Sequence, residues 1–292
     1  MVKRSLNKFS SKSLQEKITY VGFFIFYVLM ALILLSPFVW AILNSLKTTE
    51  EFYNSTIKLP EQWLFSNYIK VFTEFAIRDS GYFTMLWNSV WILVVKVGVN
   101  VGSSLLLAYP ISKFRFPGKN FLYGVVIFIQ TIPIVGSGST TYKMLFNLHM
   151  IDNPFLMWMA WAGGFDFAFI VFYGAFKGVS NTYMEAAYID GASEWKVMTR
   201  IVIPQIVPAI IALMITQAMA VWNDYTTCMI YLRSYPNLSY GLYLFRTESG
   251  YVENAKAIYL CAVVISMIPP IILYAANQKL MLTNMSVGGI KG

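Results

Sequence analysis

Charge-poor apolar runs alternate with polar stretches along the whole chain. A membrane-spanning helix needs about 20 apolar residues, and the first run has no charged residue between Val21 and Leu46. Six runs of this kind lie near residues 21–46, 84–112, 120–142, 154–176, 203–230 and 257–278. The pattern therefore predicts an all-α membrane protein with six transmembrane helices, in which the polar stretches are the connecting loops.

Composition supports the membrane assignment. Charged residues make up 12% of the 292-residue chain and apolar residues 57%, whereas a soluble domain carries about 25% charged residues. The first apolar run is longer than the core of a secretory signal and lacks a small-residue cleavage site, so we predict that it is retained.

Basic residues are distributed unevenly between the two sides that six crossings create. Thirteen of the 22 basic residues fall on the side of the termini: Lys3, Arg4, Lys8, Lys12, Lys17, Lys113, Arg115, Lys119, Lys177, Lys196, Arg200, Lys279 and Lys291. The positive-inside rule places this side in the cytoplasm. We therefore predict cytoplasmic tails at 1–20 and 282–292 and a folded outer loop from Lys47 to about Phe83. We therefore attribute the net charge of +8 to the orientation of the chain in the membrane and not to nucleic-acid binding.

A polar hairpin, about 180–204, separates two apolar runs. Thr182 and Glu185 have capping-box spacing, and Gly191 is placed to end the first helix in the left-handed conformation. Ser193 then starts a second helix, which meets Pro204 at the next crossing. A slim helix of this kind suits docking in a partner's cleft, and an ordinary interfacial loop helix is the alternative.

Residues for cofactor or metal chemistry are scarce. Cys228 and Cys261 lie in apolar runs as small buried side chains, and His149 is the only histidine. The chain has no GxxxxGK[ST] phosphate loop. We predict no catalytic residues, no metal and no cofactor.

The hairpin and several other segments carry a family resemblance. Glu185-Ala186-Ala187, then Gly191 and Ile201-x-Ile203-Pro204, resemble the EAA signature of ABC importer permeases, with Ile203 where leucine is usual. Further segments resemble the carbohydrate branch, and within it the maltose-transport-type second permease subunit: PFVWAILNSLKT (37–48), WNS (87–89), AYPISKFRFPGK (108–119), IDGAS (189–193), WNDY (222–225) and GGIKG (288–292). Pro110 departs from the resembled motif and predicts a kink.

The resemblance implies a non-catalytic permease subunit of an ATP-driven importer in the bacterial cytoplasmic membrane. It implies the type I ABC importer fold, alternating access and import of a carbohydrate, most simply an oligosaccharide. The implied partners are a homologous second permease, two cytoplasmic ATP-binding subunits that hydrolyse ATP, an extracytoplasmic sugar-binding protein and the lipid bilayer. The alternatives are a same-fold permease for glycerol phosphate, a polyamine or another non-sugar solute, and an ATP-independent secondary transporter.

Two sets of residues follow as functional candidates. The resemblance implies coupling to the ATPases through Glu185, Ala186, Ala187, Gly191 and Pro204 of the hairpin and through Gly288 and Gly289 of the tail.

The second set concerns the solute pathway. Lys96 and Asp166 lie within predicted crossings, where each charge costs about 2.5–3.5 kcal/mol. Both sit roughly 14–17 Å deep, so we predict that they face the interior and approach each other, directly or through water. Trp161 and Trp222 are candidates for stacking on sugar rings, and Asn223 and Asp224 for bonding sugar hydroxyls; packing against neighbouring helices is the alternative.

Overall fold

The computed structural model describes residues 13–132, 136–248 and 255–285, with side chains described as far as Gln278. Helices form most of it. They are α1 Leu14–Ser45, α2 Thr49–Asn54, α3 Ser66–Glu74, α4 Tyr82–Lys113, α5 Lys119–Thr131, α6 Gly138–Asn147, α7 Pro154–Trp161, α8 Phe167–Gly178, α9 Asn181–Ile189, α10 Glu194–Asn223, α11 Thr226–Ile230, α12 Leu238–Glu248 and α13 Ala255–Met285. The strands β1 Ala76–Ile77 and β2 Ser80–Gly81 pair antiparallel in the predicted outer loop, between α3 and α4.

Among the described residues, four helices are long and apolar enough to cross a membrane: α1, α4, α10 and α13. They correspond to the first, second, fifth and sixth predicted crossings. α4 has 32 residues and is about 48 Å long, which exceeds a hydrocarbon layer of about 30 Å. Its ends therefore extend beyond the apolar layer.

The third and fourth predicted crossings are not single helices. Residues 120–142 are divided between α5 and α6, and Gly136 between them has a φ of 85°. Residues 154–176 are divided between α7 and α8, because Asp166 caps a new helix after the Gly163-Gly164 pair. The fifth predicted crossing likewise stops at Asn223, and Asp224 adopts an extended conformation.

The predicted N-terminal tail, 1–20, becomes helical at Leu14. Ser13 and Glu16 form a capping box, in which the Ser13 amide donates to Glu16 Oε2 (2.9 Å) and the Glu16 amide to Ser13 Oγ (3.3 Å). Because these bonds satisfy amides that the first turn leaves unpaired, α1 starts earlier than its apolar stretch does.

The contacts divide the chain into two compact units, of which the first comprises Met1–Val71 and Gly250–Ile265. The start of its outer loop is bonded to the end of α1. Asn67 Nδ2 donates to the carbonyls of Ser45 and Lys47 (both 3.0 Å), and the buried Lys47 ammonium donates to Ser55 O (2.8 Å). The start of the predicted outer loop is therefore folded, as expected.

The second unit comprises Phe72–Ser249 and Ser266–Gly292, and α4 is at its centre. α4 packs most extensively against α8 and then against α10. α8 contributes the fully buried rings of Phe169, Phe172 and Phe176 to this core. Apolar helices in a membrane associate through close van der Waals packing, and α8 makes such contacts with α4 although it has only 12 residues.

Candidate functional site

One face of α4 carries polar side chains inside the apolar core. Lys96, Asn100 and Ser104 are four residues apart, a spacing that places them on the same side of a helix. Two clusters of hydrogen bonds are built on this face, one at Lys96 and the other at Asn100 and Ser104.

The first cluster joins α4 to the end of α10. Lys96 Nζ lies 2.8 Å from Asp224 Oδ2 and 3.0 Å from Thr227 Oγ1. The Thr227 amide donates to Asp224 Oδ1 (3.1 Å), and Asn237 Nδ2 donates to Asp224 O (2.8 Å). The side chains of Lys96 and Asp224 are 25% and 24% exposed, so each charge offsets much of the other's desolvation cost.

The second cluster surrounds Asp166, the N-cap of α8. Asp166 Oδ1 accepts hydrogen bonds from the Phe169 amide (3.0 Å) and Ser104 Oγ (2.9 Å), and Oδ2 accepts from Asn100 Nδ2 (2.9 Å). Gln217 Nε2 of α10 donates to Asn100 Oδ1 (2.8 Å). Neutral donors therefore satisfy this carboxylate, and no ion pair to Asp166 occurs among the described residues.

Both clusters line one open cavity of about 460 Å³. Its polar wall consists of Lys96, Asn100, Asp166, Gln217 and Asp224. Its apolar wall consists of Trp161, Phe167, Ala168, Ala220 and Val221. A concave site of this volume, with a few convergent polar groups on apolar walls, has the form of a small-molecule site.

The sequence predicts that Lys96 and Asp166 approach each other directly or through water, and the direct contact does not occur. The two side chains line the same cavity, but the partner of Lys96 is Asp224. The break before α8 places Asp166 at a helix N-terminus, where backbone and neutral side-chain donors are available. Sequence reasoning also missed Asn100, Ser104, Gln217 and Thr227. The spacing of four residues from Lys96 could have identified Asn100 and Ser104.

Gly163 allows the break between α7 and α8 to lie directly against α4. A Cβ atom there would be 2.5 Å from Ser104 Oγ, 2.6 Å from Asn100 Nδ2 and 2.8 Å from Asn100 O. At Gly164 the nearest contact would be 3.7 Å, to Leu107 Cδ1. Only the first position therefore requires glycine for space, and it controls the approach of Asp166 to its donors.

The tryptophan and asparagine candidates have different surroundings. Trp161 lines the cavity, and its ring lies 6.3 Å from that of Trp91. Trp222 is buried, and its Nε1 donates to Ser266 O (3.1 Å), so its ring belongs to the packing. Asn223 is exposed, and its Nδ2 donates to Met219 O of its own helix (2.8 Å). Neither Trp222 nor Asn223 lines this cavity.

The predicted capping box of the hairpin is wrong. α9 begins at Asn181, and its N-cap is Ser180, whose Oγ accepts a hydrogen bond from the Thr182 amide (3.3 Å). Thr182 is the second residue of the helix, so its hydroxyl is not at the cap. Tyr183 occupies the third helical position, and Glu185 lies two residues too far along the helix to complete a box with Ser180.

The turn of the hairpin is as predicted. Gly191 has a φ of 76°, and its amide donates to Tyr188 O (3.0 Å). The Ala192 amide donates to Ala187 O (3.0 Å), which completes a Schellman motif. Ser193 is the N-cap residue of the next helix, as predicted. Pro204 follows a π-turn at Met198–Val202, in which the Ile203 amide reaches Met198 O.

The other hairpin candidates differ in exposure. Glu185 and Ala186 are exposed, whereas Ala187 is buried. Tyr183, Ile189 and Trp195 are also exposed, Ile189 by 87%. The tail candidates Gly288 and Gly289 lie outside the described residues. The hairpin therefore presents a mixed apolar and acidic surface to its surroundings.

Comparisons with known proteins identify the family. Residues 100–286 match the family described as binding-protein-dependent transport system inner membrane component. The chain is 28% identical over 271 residues to the arabinooligosaccharides transport system permease protein AraQ of Halalkalibacterium halodurans, covering 91% of this chain and 94% of that protein. It is 25% identical over 264 residues to the diacetylchitobiose uptake system permease protein NgcG of Streptomyces coelicolor, covering 89% and 85%.

A solved structure has the same fold. The chain superposes on a chain of a bacterial ABC transporter involved in the import of the acidic polysaccharide alginate, with a TM-score of 0.77 and 23% identity over 92% of this chain and 98% of that one. The family match covers more than half of the sequence. This chain is thus a multi-pass membrane protein that belongs to the binding-protein-dependent transport system inner membrane components.

Proposed function

We propose that this chain is a transmembrane permease subunit of an ATP-driven ABC importer that carries an oligosaccharide into the cell. The subunit has six crossings with both termini in the cytoplasm, and it is not an enzyme. It works with a homologous second permease, two ATP-binding subunits that hydrolyse ATP, and an external solute-binding protein. Solute crosses by alternating access.

The polar cavity is the observation that carries this proposal. Amide groups of Asn100 and Gln217 and the carboxylate of Asp166 can exchange hydrogen bonds with hydroxyl groups, and Trp161 offers an aromatic wall. Lys96 is neutralised by Asp224, so the remaining charge on this side is the negative charge of Asp166. A negative wall disfavours a phosphate such as glycerol phosphate, and the neutral amides of Asn100 and Gln217 suit a hydroxyl-rich solute.

The relatives favour the same solute class. AraQ and NgcG are named for transport of arabinooligosaccharides and diacetylchitobiose, and each comparison spans nearly the whole chain. A further relative, 26% identical over 270 residues, is the trehalose/maltose transport system permease protein MalG of Thermococcus litoralis.

α1 supports a partner within the membrane. None of the 18 residues in its most apolar window is buried within the chain. A helix that is apolar on all sides must be covered by lipid or by another apolar surface. A second permease and the bilayer together provide that cover.

The hairpin supports ATPase partners in the cytoplasm. Glu185, Ala186 and the exposed Ile189 form a compact docking surface, and Gly191 and Pro204 bound the segment that presents it. Glu185 pairs with a basic residue in the ATPase cleft. The tail glycines Gly288 and Gly289 let the C-terminus pass between the two ATPase subunits.

Reconstitution tests the function directly. The complete complex, with its second permease, ATPase subunits and binding protein, is placed in proteoliposomes containing ATP and offered labelled oligosaccharides, glycerol phosphate and a polyamine. We expect saturable, ATP-dependent uptake of an oligosaccharide. Uptake without ATP would indicate a secondary transporter, and uptake confined to glycerol phosphate or polyamine would refute the sugar assignment.

The same preparation tests the hairpin. Glu185→Ala is expected to weaken retention of the ATPase subunits during purification and to lower uptake. Glu74→Ala, at the end of α3 in the outer loop, is the matched control and should leave both unchanged. Full ATPase retention and full uptake with Glu185→Ala would contradict the docking role.

A further inference from the structure

One carboxylate joins three helices at the cytoplasmic end of the second unit. Glu194 begins α10, and its Oε1 accepts a hydrogen bond from the hydroxyl of Tyr109 on α4. Its Oε2 accepts a hydrogen bond from the hydroxyl of Tyr188 on α9. The hairpin is therefore bonded to α4 through one residue that uses both of its oxygens.

The surroundings hold these donors in place. Tyr109 is 3% exposed, and its ring packs edge-on against Phe114 and Phe176 at centroid distances of 5.7 and 5.4 Å. Partial burial, together with the hydrogen bond to and the charge of Glu194, raises the pKa of Tyr188 to about 12. This phenol therefore keeps the proton that it donates. Hydrogen bonds to an ionised group are roughly twice as strong as neutral ones.

A second connection lies one turn further along α4. Lys113 Nζ donates to Val179 O (2.6 Å) and to Asn181 Oδ1 (3.2 Å), both at the start of the hairpin. Pro110 lies between the two connections and has no amide hydrogen to bond the carbonyl of residue 106. The end of α4 is thus fastened to the hairpin on both sides of a point where the helix lacks one backbone bond.

We propose that Tyr109, Tyr188 and Glu194 form a joint that carries movement of the hairpin to α4, and through α4 to the solute cavity. The inference rests on the proposed function, in which the ATPase subunits move the hairpin. α4 is a direct route, because Asn100 lies nine residues from Tyr109 on the same helix, about 14 Å away. Lys96 lies about 20 Å away along that helix. The three residues are positioning residues, and no described cavity contact involves them.

The test uses the complete transporter in proteoliposomes, with Tyr109→Phe, Glu194→Gln and the double variant. Tyr109→Phe removes only the hydroxyl and leaves the packing on Phe114 and Phe176. The readout is the number of ATP molecules hydrolysed per solute imported, measured beside ATPase retention. Tyr53→Phe is the matched control, because it removes the same hydroxyl from an exposed tyrosine of α2, which belongs neither to the hairpin nor to the cavity lining.

We expect each single variant to retain its ATPase subunits and to raise the ratio roughly three- to tenfold. The double variant should be no worse than the more affected single variant, since Glu194→Gln already weakens the hydrogen bond that Tyr109→Phe removes. The proposed joint would be contradicted by any of three results. These are an unchanged ratio, additive effects in the double variant, and loss of ATPase subunits with Tyr109→Phe. If the wild-type complex shows no ATP-dependent uptake, the proposed function fails instead.

Discussion

The cavity and the hairpin satisfy their polar groups in opposite ways. In the cavity, Lys96 bonds Asp224, and Asp166 accepts three hydrogen bonds from its own chain. On the hairpin, the side chain of Glu185 forms no hydrogen bond or ion pair with any described residue, and Ile189 is 87% exposed. The desolvation cost of a buried charge must be offset by contacts within the fold, whereas an exposed side chain is solvated by water until a partner binds. Changes in the cavity should therefore damage the subunit itself, and changes in the hairpin should damage its coupling.

The largest expected effect comes from breaking the ion pair of the cavity. Lys96→Met leaves the Asp224 carboxylate unpaired and should destabilise the subunit by about 3 kcal/mol, the lower end for a buried pair because both side chains are partly exposed. Lys96→Met combined with Asp224→Asn should recover most of that loss. Thermal unfolding of the purified protein in detergent measures both.

The matched control for this prediction combines Lys96→Met with Asp166→Asn. It should not recover stability, because Asp166 depends on Asn100 and Ser104 rather than on Lys96. Recovery by this control, or additive losses with Asp224→Asn, would contradict the pairing.

The second effect tests how closely the cavity is packed. Gly163→Ala places a Cβ atom 2.8 Å from the backbone oxygen of Asn100, so α4 must shift, at a cost of about 1–3 kcal/mol. Gly164→Ala is the matched control, because its nearest contact would be an ordinary 3.7 Å. The two variants should differ clearly in thermal unfolding temperature, and equal temperatures would refute the close approach.

The third effect belongs to the hairpin. Gly191→Ala forces a residue with a Cβ atom into a φ of 76°, at a cost of about 1–2 kcal/mol. We expect weaker retention of the ATPase subunits, because the strain changes the exposed hairpin, and a smaller fall in unfolding temperature than Gly163→Ala causes. Gly178→Ala, at the end of α8 with open space around it, serves as the control. A fall in unfolding temperature without loss of ATPase subunits would contradict the claim that hairpin changes act on coupling and cavity changes on stability.

The smallest effect distinguishes the two candidate caps of α9. Ser180→Ala removes the acceptor of the Thr182 amide and should destabilise the helix start by about 1 kcal/mol. Thr182→Ala should have a smaller effect, since its hydroxyl caps no amide. Hydrogen exchange of the first α9 amides measures this difference. Faster exchange with Thr182→Ala than with Ser180→Ala would instead support Thr182 as the cap, as the sequence predicted.

The sequence by itself determined the features that depend on neighbouring residues. Apolar runs located α1, α4, α10 and α13 because a spanning helix satisfies its own backbone within one segment. Gly191 identified the turn of the hairpin because the left-handed conformation is a property of one residue. The cap of α9 is also local, yet Ser180 and Thr182 both offer a hydroxyl, and only the extended backbone at Ser180 selects between them.

Only the tertiary structure decided which polar groups meet. Lys96 and Asp224 are 128 residues apart, and depth along a helix pointed to Asp166 alone as the acid near Lys96. The break before α8 decided the choice by placing Asp166 at a helix start facing Asn100 and Ser104. That break depends on Gly163 fitting against α4, a contact between distant segments. The average hydropathy of such a segment shows only that it is apolar. It contains no information about the contacts with distant residues that interrupt the helix.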